Sequence, residues 1–427
     1  MNSFASCTPA RRACVLLCLC LVLAPLTASA EEADSLSAAW RHLIESMEKS
    51  EAHIRDSEFY DSEQEKARAY LHLSRTLLKA LEEQILASDT HPYFRIMDPR
   101  IREGGDNPDQ RYLFAEIEGG VNYMLRGNLG SAARLEAQIY AGRPWAKDGR
   151  SVDYLVFEDV TVADDGSFTI PVVAKKENAG SGSLYNAPQS TTVMVRQIFD
   201  QWSDQYPGEV HIDRVGYEGK PKPAPTTAEV AAKIRGVAYT AYQSAANWPN
   251  MVRERYTDAR PANTVSPLID TFALGGARGR WMASGHFDIP VGKALLIKAW
   301  PTRADYQAIQ LTDRWFSSLE YANRVTSLNN SQVHNASDGA IYYVVASDDP
   351  GYPNWLDTMG LTRGTFILRY DGVQGDIEES RWPEAQLVDA GALAQLIPDY
   401  SQVQVSAEQR EETLAARRRH VQKRFGF

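Results

Sequence analysis

The stretch Val193-Met194-Val195-Arg196 is written again in kind as Phe366-Ile367-Leu368-Arg369, at an offset of 173 residues. Asp165-Gly166-Ser167-Phe168 falls on Asp338-Gly339-Ala340-Ile341 at the same offset. At 172, Ile117-Glu118-Gly119-Gly120 falls on Ile289-Pro290-Val291-Gly292, Arg126 on Lys298, and Gln138-Ile139 on Gln310-Leu311. Successive strand side chains point to opposite faces, so one slipped residue would turn every apolar group outward. Register held across so long a span, with a single slip, marks one structural unit written twice. The expected fold is mainly β with helical additions: two tandem related β-sandwich or jelly-roll-like domains, an N-terminal helical hairpin, a helical linker and a C-terminal helix.

A chain of 427 residues is long for one hydrophobic core. Composition shifts divide it into a signal peptide over 1–30, the helical hairpin over 31–92 and a first β-domain over 93–220. A Pro-rich break with linker helices follows over 221–260, then a second β-domain over 261–400 and a basic helix over 401–427. Arg11-Arg12, the apolar run Ala13–Ala24 and Ala28-Ser29-Ala30 have the order of a secretory leader, with cleavage near Ala30 and a periplasmic or secreted product. The twin arginines leave Sec and twin-arginine export both open. Cys7, Cys14, Cys18 and Cys20 all lie in that leader, which excludes disulfides, thiolate nucleophiles and Cys-ligated metal from the mature chain. No transmembrane segment is expected after residue 30. The formal charge of −10 becomes more negative once the leader is gone and argues against nucleic acid as a partner.

In the hairpin, Trp40, Leu43, Ile44 and Met47 share one helical face. Tyr70, Leu71, Leu73, Leu77, Leu78, Leu81 and Ile85 share another. These stripes are expected to cover an end of the first β-domain or the seam between the two; left exposed, they would suit a protein partner. The closing helix, with Arg417-Arg418-Arg419-His420 and Lys423-Arg424, reads as a solvated tail.

Three clusters carry candidate site residues. Asp106-Asn107-Pro108-Asp109-Gln110-Arg111 is an Asx-type turn that could equally orient a ligand with Asp106, Asn107, Asp109 and Arg111. Asp313-Arg314-Trp315 continues to Tyr321, Asn323, Arg324 and Asn329, joining flat rings to directional hydrogen-bonding groups, as a carbohydrate or other ring-bearing small molecule requires. The stiff loop Asp348–Asp357 adds Asn354 and Trp355. The expected function is that of an exported soluble protein with an aromatic and amide-lined site for such a ligand. A lyase or hydrolase with Asp313, Tyr321, Arg324 and Asp357 doing acid–base work between the domains, or a non-catalytic scaffold, are the alternatives. The histidines are scattered with no HExxH, and there is no GxSxG or P-loop, so neither metal nor cofactor is signalled. Arg196 and Arg369 occupy matching repeat positions and read as a buried ion pair within each domain or as a substrate clamp.

The phrases DNPDQRY (106–112), DRWFSSLEYANRVTSLN (313–329) and DPGYPNWLDT (349–358) resemble those of bacterial proteins built on the domain of unknown function numbered twelve-fourteen. The resemblance spans roughly residues 65–370. It implies β-sandwich or jelly-roll-like modules and brings no established reaction and no agreed catalytic residues.

Overall fold

The computed structural model describes residues 24–143, 149–272, 276 and 278–426. The expected leader, with its cysteines and twin arginines, lies outside them up to residue 23; its last residues enter helix α1 (Ala24–Arg55). The first β-unit contains β1 (Arg95–Met97), β2 (Gln110–Glu116), β3 (Tyr123–Asn128), β4 (Arg134–Ala141), β5 (Arg150–Val156), β6 (Ser167–Val173), β7 (Leu184–Tyr185), β8 (Ser190–Ile198) and β9 (Val210–Arg214). The second contains β10 (Ile269–Asp270), β11 (Trp281–Asp288), β12 (Lys293–Ala299), β13 (Tyr306–Thr312), β14 (Ser327–Asn329), β15 (Ile341–Ala346), β16 (Trp355–Asp357), β17 (Arg363–Asp371) and β18 (Glu384–Asp389).

The strand orders are the same in both units. A sheet β1-β2-β8-β4-β5 and a sheet β7-β6-β3-β9 in the first answer to β10-β11-β17-β13-β14 and β16-β15-β12-β18 in the second. Even the parallel pairs correspond, β6 with β7 and β15 with β16, in otherwise antiparallel sheets. Gln138 lies opposite Met194 on β8, and Gln310 opposite Ile367 on β17, which are equivalent places. The duplication read from the sequence is a duplication of topology.

Each unit is a sandwich whose core is built from one side of the alternation. Val193 and Val195 of β8, with Leu113, Ala115 and Ile139, meet Leu125, Ile170 and Ile212 of the facing sheet. Phe366 and Leu368 of β17, with Ile309 and Leu311, meet Leu295, Ile297 and Val345 in the second. The other side of β8 carries Met194 and Arg196, which are buried as well. That second burial comes from the other β-unit and from helices.

Helix α2 (Glu63–Leu86) starts at Ser62, whose side chain accepts from the Glu65 N–H. Helix α3 (Thr227–Val252) starts at a Thr226–Glu229 capping box. Both N-terminal helices pack on α3 rather than closing on one another. α1 lays Ala39, Leu43, Ser46, Ser50 and Ile54 inward, a line of mostly small side chains that suits close approach to the alanines of α3. Only part of each expected apolar stripe faces inward: Leu43 is buried, and Leu73 and Leu77 are half-buried against the core. Trp40, Ile44 and Met47 are exposed, as are Tyr70, Leu71, Leu81 and Ile85, while α2 buries Glu65, Ala69, His72, Thr76, Lys79, Ala80 and Glu83. The polar stripe has partners waiting, which makes its burial tolerable: Glu65 takes Arg314 and the Trp315 indole N–H, each at 3.1 Å, and Lys79 meets Glu103 at 3.0 Å.

Pro249 lies inside α3 and has no N–H to give the Ala245 carbonyl one turn back. His72 Nε2 donates to that oxygen at 3.1 Å, so α2 completes the ladder of α3. The C-terminal helix, Ala407–Phe425, is not a solvated tail: Arg417, His420, Val421 and Arg424 are buried. Arg417 donates to the Tyr321 and Ser327 carbonyls, and Arg424 donates to the Pro108 carbonyl across the two units. Desolvation offset by carbonyl acceptors and by the Trp202 ring, 4.4 Å and 4.8 Å from the two guanidinium groups, makes a basic helix face a clasp.

Candidate functional site

A chamber of about 240 Å³ lies where the outer faces of β2-β8-β4 and β11-β17 meet α2 and α3. Strand register orders its wall. Tyr112 of β2 lies beside Arg196 of β8, which lies beside Glu136 of β4; the next inward row is Phe114 and Met194; the last is Glu116, Thr192 and Tyr140. Arg280, Met282 and Arg369 come from the second unit, Lys79 and Glu83 from α2, Trp248 from α3.

The end at Tyr112 is rich in arginine. Glu136, fully enclosed, takes Arg134 and Arg280 at 3.0 Å and Arg196 at 3.6 Å. Burial alone would push its carboxyl up, but the three guanidinium groups hold it down at about 2. Arg280 also grips Asp371 at 2.5 Å. Arg196 donates to Gln138 Oε1 at 2.9 Å and to the Tyr140 hydroxyl at 3.0 Å. Its repeat mate Arg369 donates to Gln310 Oε1 and to the Gly105 carbonyl, yet pairs with no carboxylate among the described residues. The reason is in the repeat: Glu136 is replaced at the matching place by Ala308. The expected ion pair is thus present for Arg196 and missing for Arg369. The Tyr112 oxygen accepts the Asn107 N–H at 3.1 Å, leaving its own proton to donate. Burial raises its pKa, while Arg369 and Arg196 nearby work against the rise.

The end under α2 holds a balanced network. Glu83 takes Arg143 at 2.9 Å and Arg95 at 3.6 Å; Arg143 also takes Glu116 at 2.7 Å. Glu116 is pushed up by burial, and the neighbouring Glu83 adds to the push. Between the ends lie Phe114, Met97, Met194, Met282 and the Trp248 ring. Trp248 Nε1 has no partner among the described residues.

The loop Gly104–Asp109 closes one side and bolts the units together. Gly104 and Gly105 adopt φ +69° and +64°, and a Cβ at these positions would stand 3.0 Å from the Trp248 ring and 2.8 Å from Phe316. Gln310 Nε2 donates to the Asp106 carbonyl at 2.8 Å, and the Asp106 carboxylate takes the Ser318 N–H at 3.0 Å and hydroxyl at 2.7 Å. Asp109 takes the hydroxyl of Tyr306 at 2.6 Å, the Asn329 amide at 2.9 Å and the Trp202 indole at 2.8 Å. Asn107 donates to Tyr306 at 2.9 Å.

Of the candidate site residues in the three clusters, Asp106 lines the chamber and the others do not. Asn107, Asp109 and Asn329 are inter-unit fasteners, and Arg111 donates to Gln197 and the Gly208 carbonyl at 3.1 Å within the first unit. Trp315 is fully enclosed against Phe59 and His72, and Arg314 is held by Asp61 and Glu65, so this pair anchors α2. Tyr321 is buried beside Trp202. Asn354 is enclosed, bonded to the backbone of His334 and Tyr342, and Trp355 gives its N–H to the Ala346 carbonyl at 2.9 Å. Neither tryptophan offers a free face for stacking, because rings that would stack on a sugar are used to fill these joints. Asn323 and Arg324 stay near the surface, bonded to Arg418 and Asp357. Asp313 caps its own turn through the N–H groups of Trp315 and Ser317. The proposed acid–base set of Asp313, Tyr321, Arg324 and Asp357 therefore does not assemble in the chamber. The chamber was signalled by Arg196 and Arg369; what the sequence could not supply was that the polar sides of both repeats face inward.

Among the described residues no group of His, Asp and Glu is arranged to hold a metal ion, and no helix is long and apolar enough to cross a membrane. No family model and no curated protein matches the chain. Among solved structures it is similar to an uncharacterised protein of Burkholderia cenocepacia, with 23% identity and a TM-score of 0.76 over 84% of this chain and 99% of that one. A protein of Vibrio parahaemolyticus aligns over 75% of this chain and 98% of its own, with 11% identity and a TM-score of 0.41. The first likeness establishes a shared fold with an uncharacterised bacterial protein.

Proposed function

We propose that the protein binds a small organic anion, a carboxylate with an apolar body, in the chamber between its two β-units. The observation that carries this reading is the repeat-related pair Arg196 and Arg369, of which only Arg196 has a carboxylate counter-charge among the described residues, facing the same chamber. Arg369 and the Tyr112 hydroxyl supply donors for the anion. Phe114, Met194, Met282 and Trp248 supply the surface for its apolar part. The volume would hold on the order of eight waters, which suits a single-ring acid rather than an oligosaccharide.

The leader-like N-terminus supports an exported location, and the shared phrases support membership of the family the sequence resembles. Exposure of Trp40, Ile44 and Met47 supports a protein partner on α1 as an additional role. The test is isothermal titration with 3-phenylpropanoate. Saturable one-to-one binding is expected, weakened at least about tenfold in Arg369→Gln, since a hydrogen bond to a charged group contributes about 1.5–3 kcal/mol. Equal affinity in that variant would remove the reading.

A further inference from the structure

We infer that the occupant is a hydroxyaryl carboxylate, its acid at Arg369 and Tyr112 and its hydroxyl between Arg95 and Glu103. The inference rests on the chamber being a site for a small anion and assigns the group at the other end. Arg95 lies across from Phe114 in the strand register, one row away from Tyr112, and its guanidinium sits 4.6 Å over the Phe114 ring. Its Nη2 leans on Glu83 at 3.6 Å, while Nη1 has no partner among the described residues. Glu103 gives Oε1 to the Lys79 ammonium at 3.0 Å, and its Oε2 has no partner. Lys79 also approaches Glu83 at 3.7 Å, so Arg95 and Glu103 belong to one ion-pair network.

Both side chains are more than nine-tenths buried, and both line the chamber. An unmatched donor and an unmatched acceptor in one network are costly to keep in a folded protein. A second carboxylate would satisfy Arg95 and be repelled by Glu103; an ammonium would do the reverse. A hydroxyl accepts from one and donates to the other through a single atom. Rows on a strand are about 6.8 Å apart, and with the reach of the side chains this span suits one ring bearing a short acid arm. The phenylalanine, indole and thioether lining of the middle favours a flat ring over a flexible chain.

Titration of the full-length mature chain with 3-(4-hydroxyphenyl)propanoate and with 3-phenylpropanoate tests the assignment. The hydroxylated acid is expected to bind at least about tenfold tighter, and Arg95→Met is expected to bring the ratio of the two affinities close to one. Equal affinities in the wild type would overturn the hydroxyl assignment while leaving the anion site in place. Failure of both acids to bind would overturn the anion reading and this inference with it. A preference that survives Arg95→Met would overturn the placement of the hydroxyl. Should that variant not fold, the comparison in the wild-type protein decides by itself.

Discussion

Glu136 is a residue on which three largely buried cations depend. It neutralises parts of three arginines from a fully buried position, so removing its charge leaves cations buried and under-compensated. Glu136→Gln is expected to lower stability by about 3 kcal/mol, the usual cost of breaking a buried pair, read by urea unfolding at neutral pH. A loss near zero would mean that Asp371 and Asp305 suffice for the remaining arginines. Arg369→Gln is different in kind: its partners are amide and carbonyl oxygens, so it should lose anion binding with little change in the unfolding midpoint. The pairing of Arg196 with Arg369 was legible from the repeat. The asymmetry between them was too, in principle, since Ala308 stands where the first unit has Glu136. What the letters could not show is that both guanidinium groups face one chamber. Trp315 and Trp355 mislead for a related reason: a ring next to amides has the same composition whether it stacks on a ligand or fills a joint, and burial alone separates the cases.

Helix α2 buries a polar stripe beside its alanines, and the cause lies in what surrounds it. The surfaces it covers are the polar faces of two sheets and the arginine of the DRW phrase, so its carboxylates and lysine find partners inside. Leu71, Leu81 and Ile85 stay outside, while Leu73 and Leu77 are half-buried against the core. Ile85→Glu is therefore expected to change stability by no more than about 0.5 kcal/mol, whereas Lys79→Met should be destabilising, because it strands Glu103 and weakens the pairing of Glu83. Comparative thermal melts of the two variants read this directly; the opposite ranking would refute the orientation of the helix. The C-terminal helix carries a pH dependence. Burial, with Arg424 beside it, pulls His420 down to about 2, well below its unfolded value of about 6.5. The unfolded chain then binds the extra proton between those limits, so stability falls as pH drops below about 6.5. Buried His72, lowered chiefly by desolvation, acts in the same sense. Unfolding midpoints measured between pH 7.5 and 5.5 should decline, and His420→Gln should flatten part of that slope if the variant folds. Periodicity located α2; it missed the buried polar stripe because it presumes an apolar neighbour.

Duplication explains how the molecule comes to have an enclosed polar centre. A lone sandwich buries one side of its main sheet and leaves the other to water. Two copies placed with those second sides toward a common helical layer enclose them, and alternation that would read as surface becomes lining. The fold class and the repeat follow from sequence register, which is a property of each half. The chamber is a property of how the halves meet, fixed by fasteners such as Asp109 with Tyr306 and Arg424 with Pro108, whose side chains look like ordinary turn and tail residues in the chain. These fasteners predict that the two units unfold together: far-ultraviolet and near-ultraviolet circular dichroism should give one coincident transition, and two separated transitions would mean that the joint is weaker than its hydrogen bonds suggest. The most direct measurement is a crystal structure of the protein grown with 3-phenylpropanoate. The carboxylate should lie within hydrogen-bonding distance of Arg369 and the Tyr112 hydroxyl, with the ring among Phe114, Met194 and Trp248. Ligand density confined to the outer surface, with the chamber holding only water at saturating acid, would contradict the account.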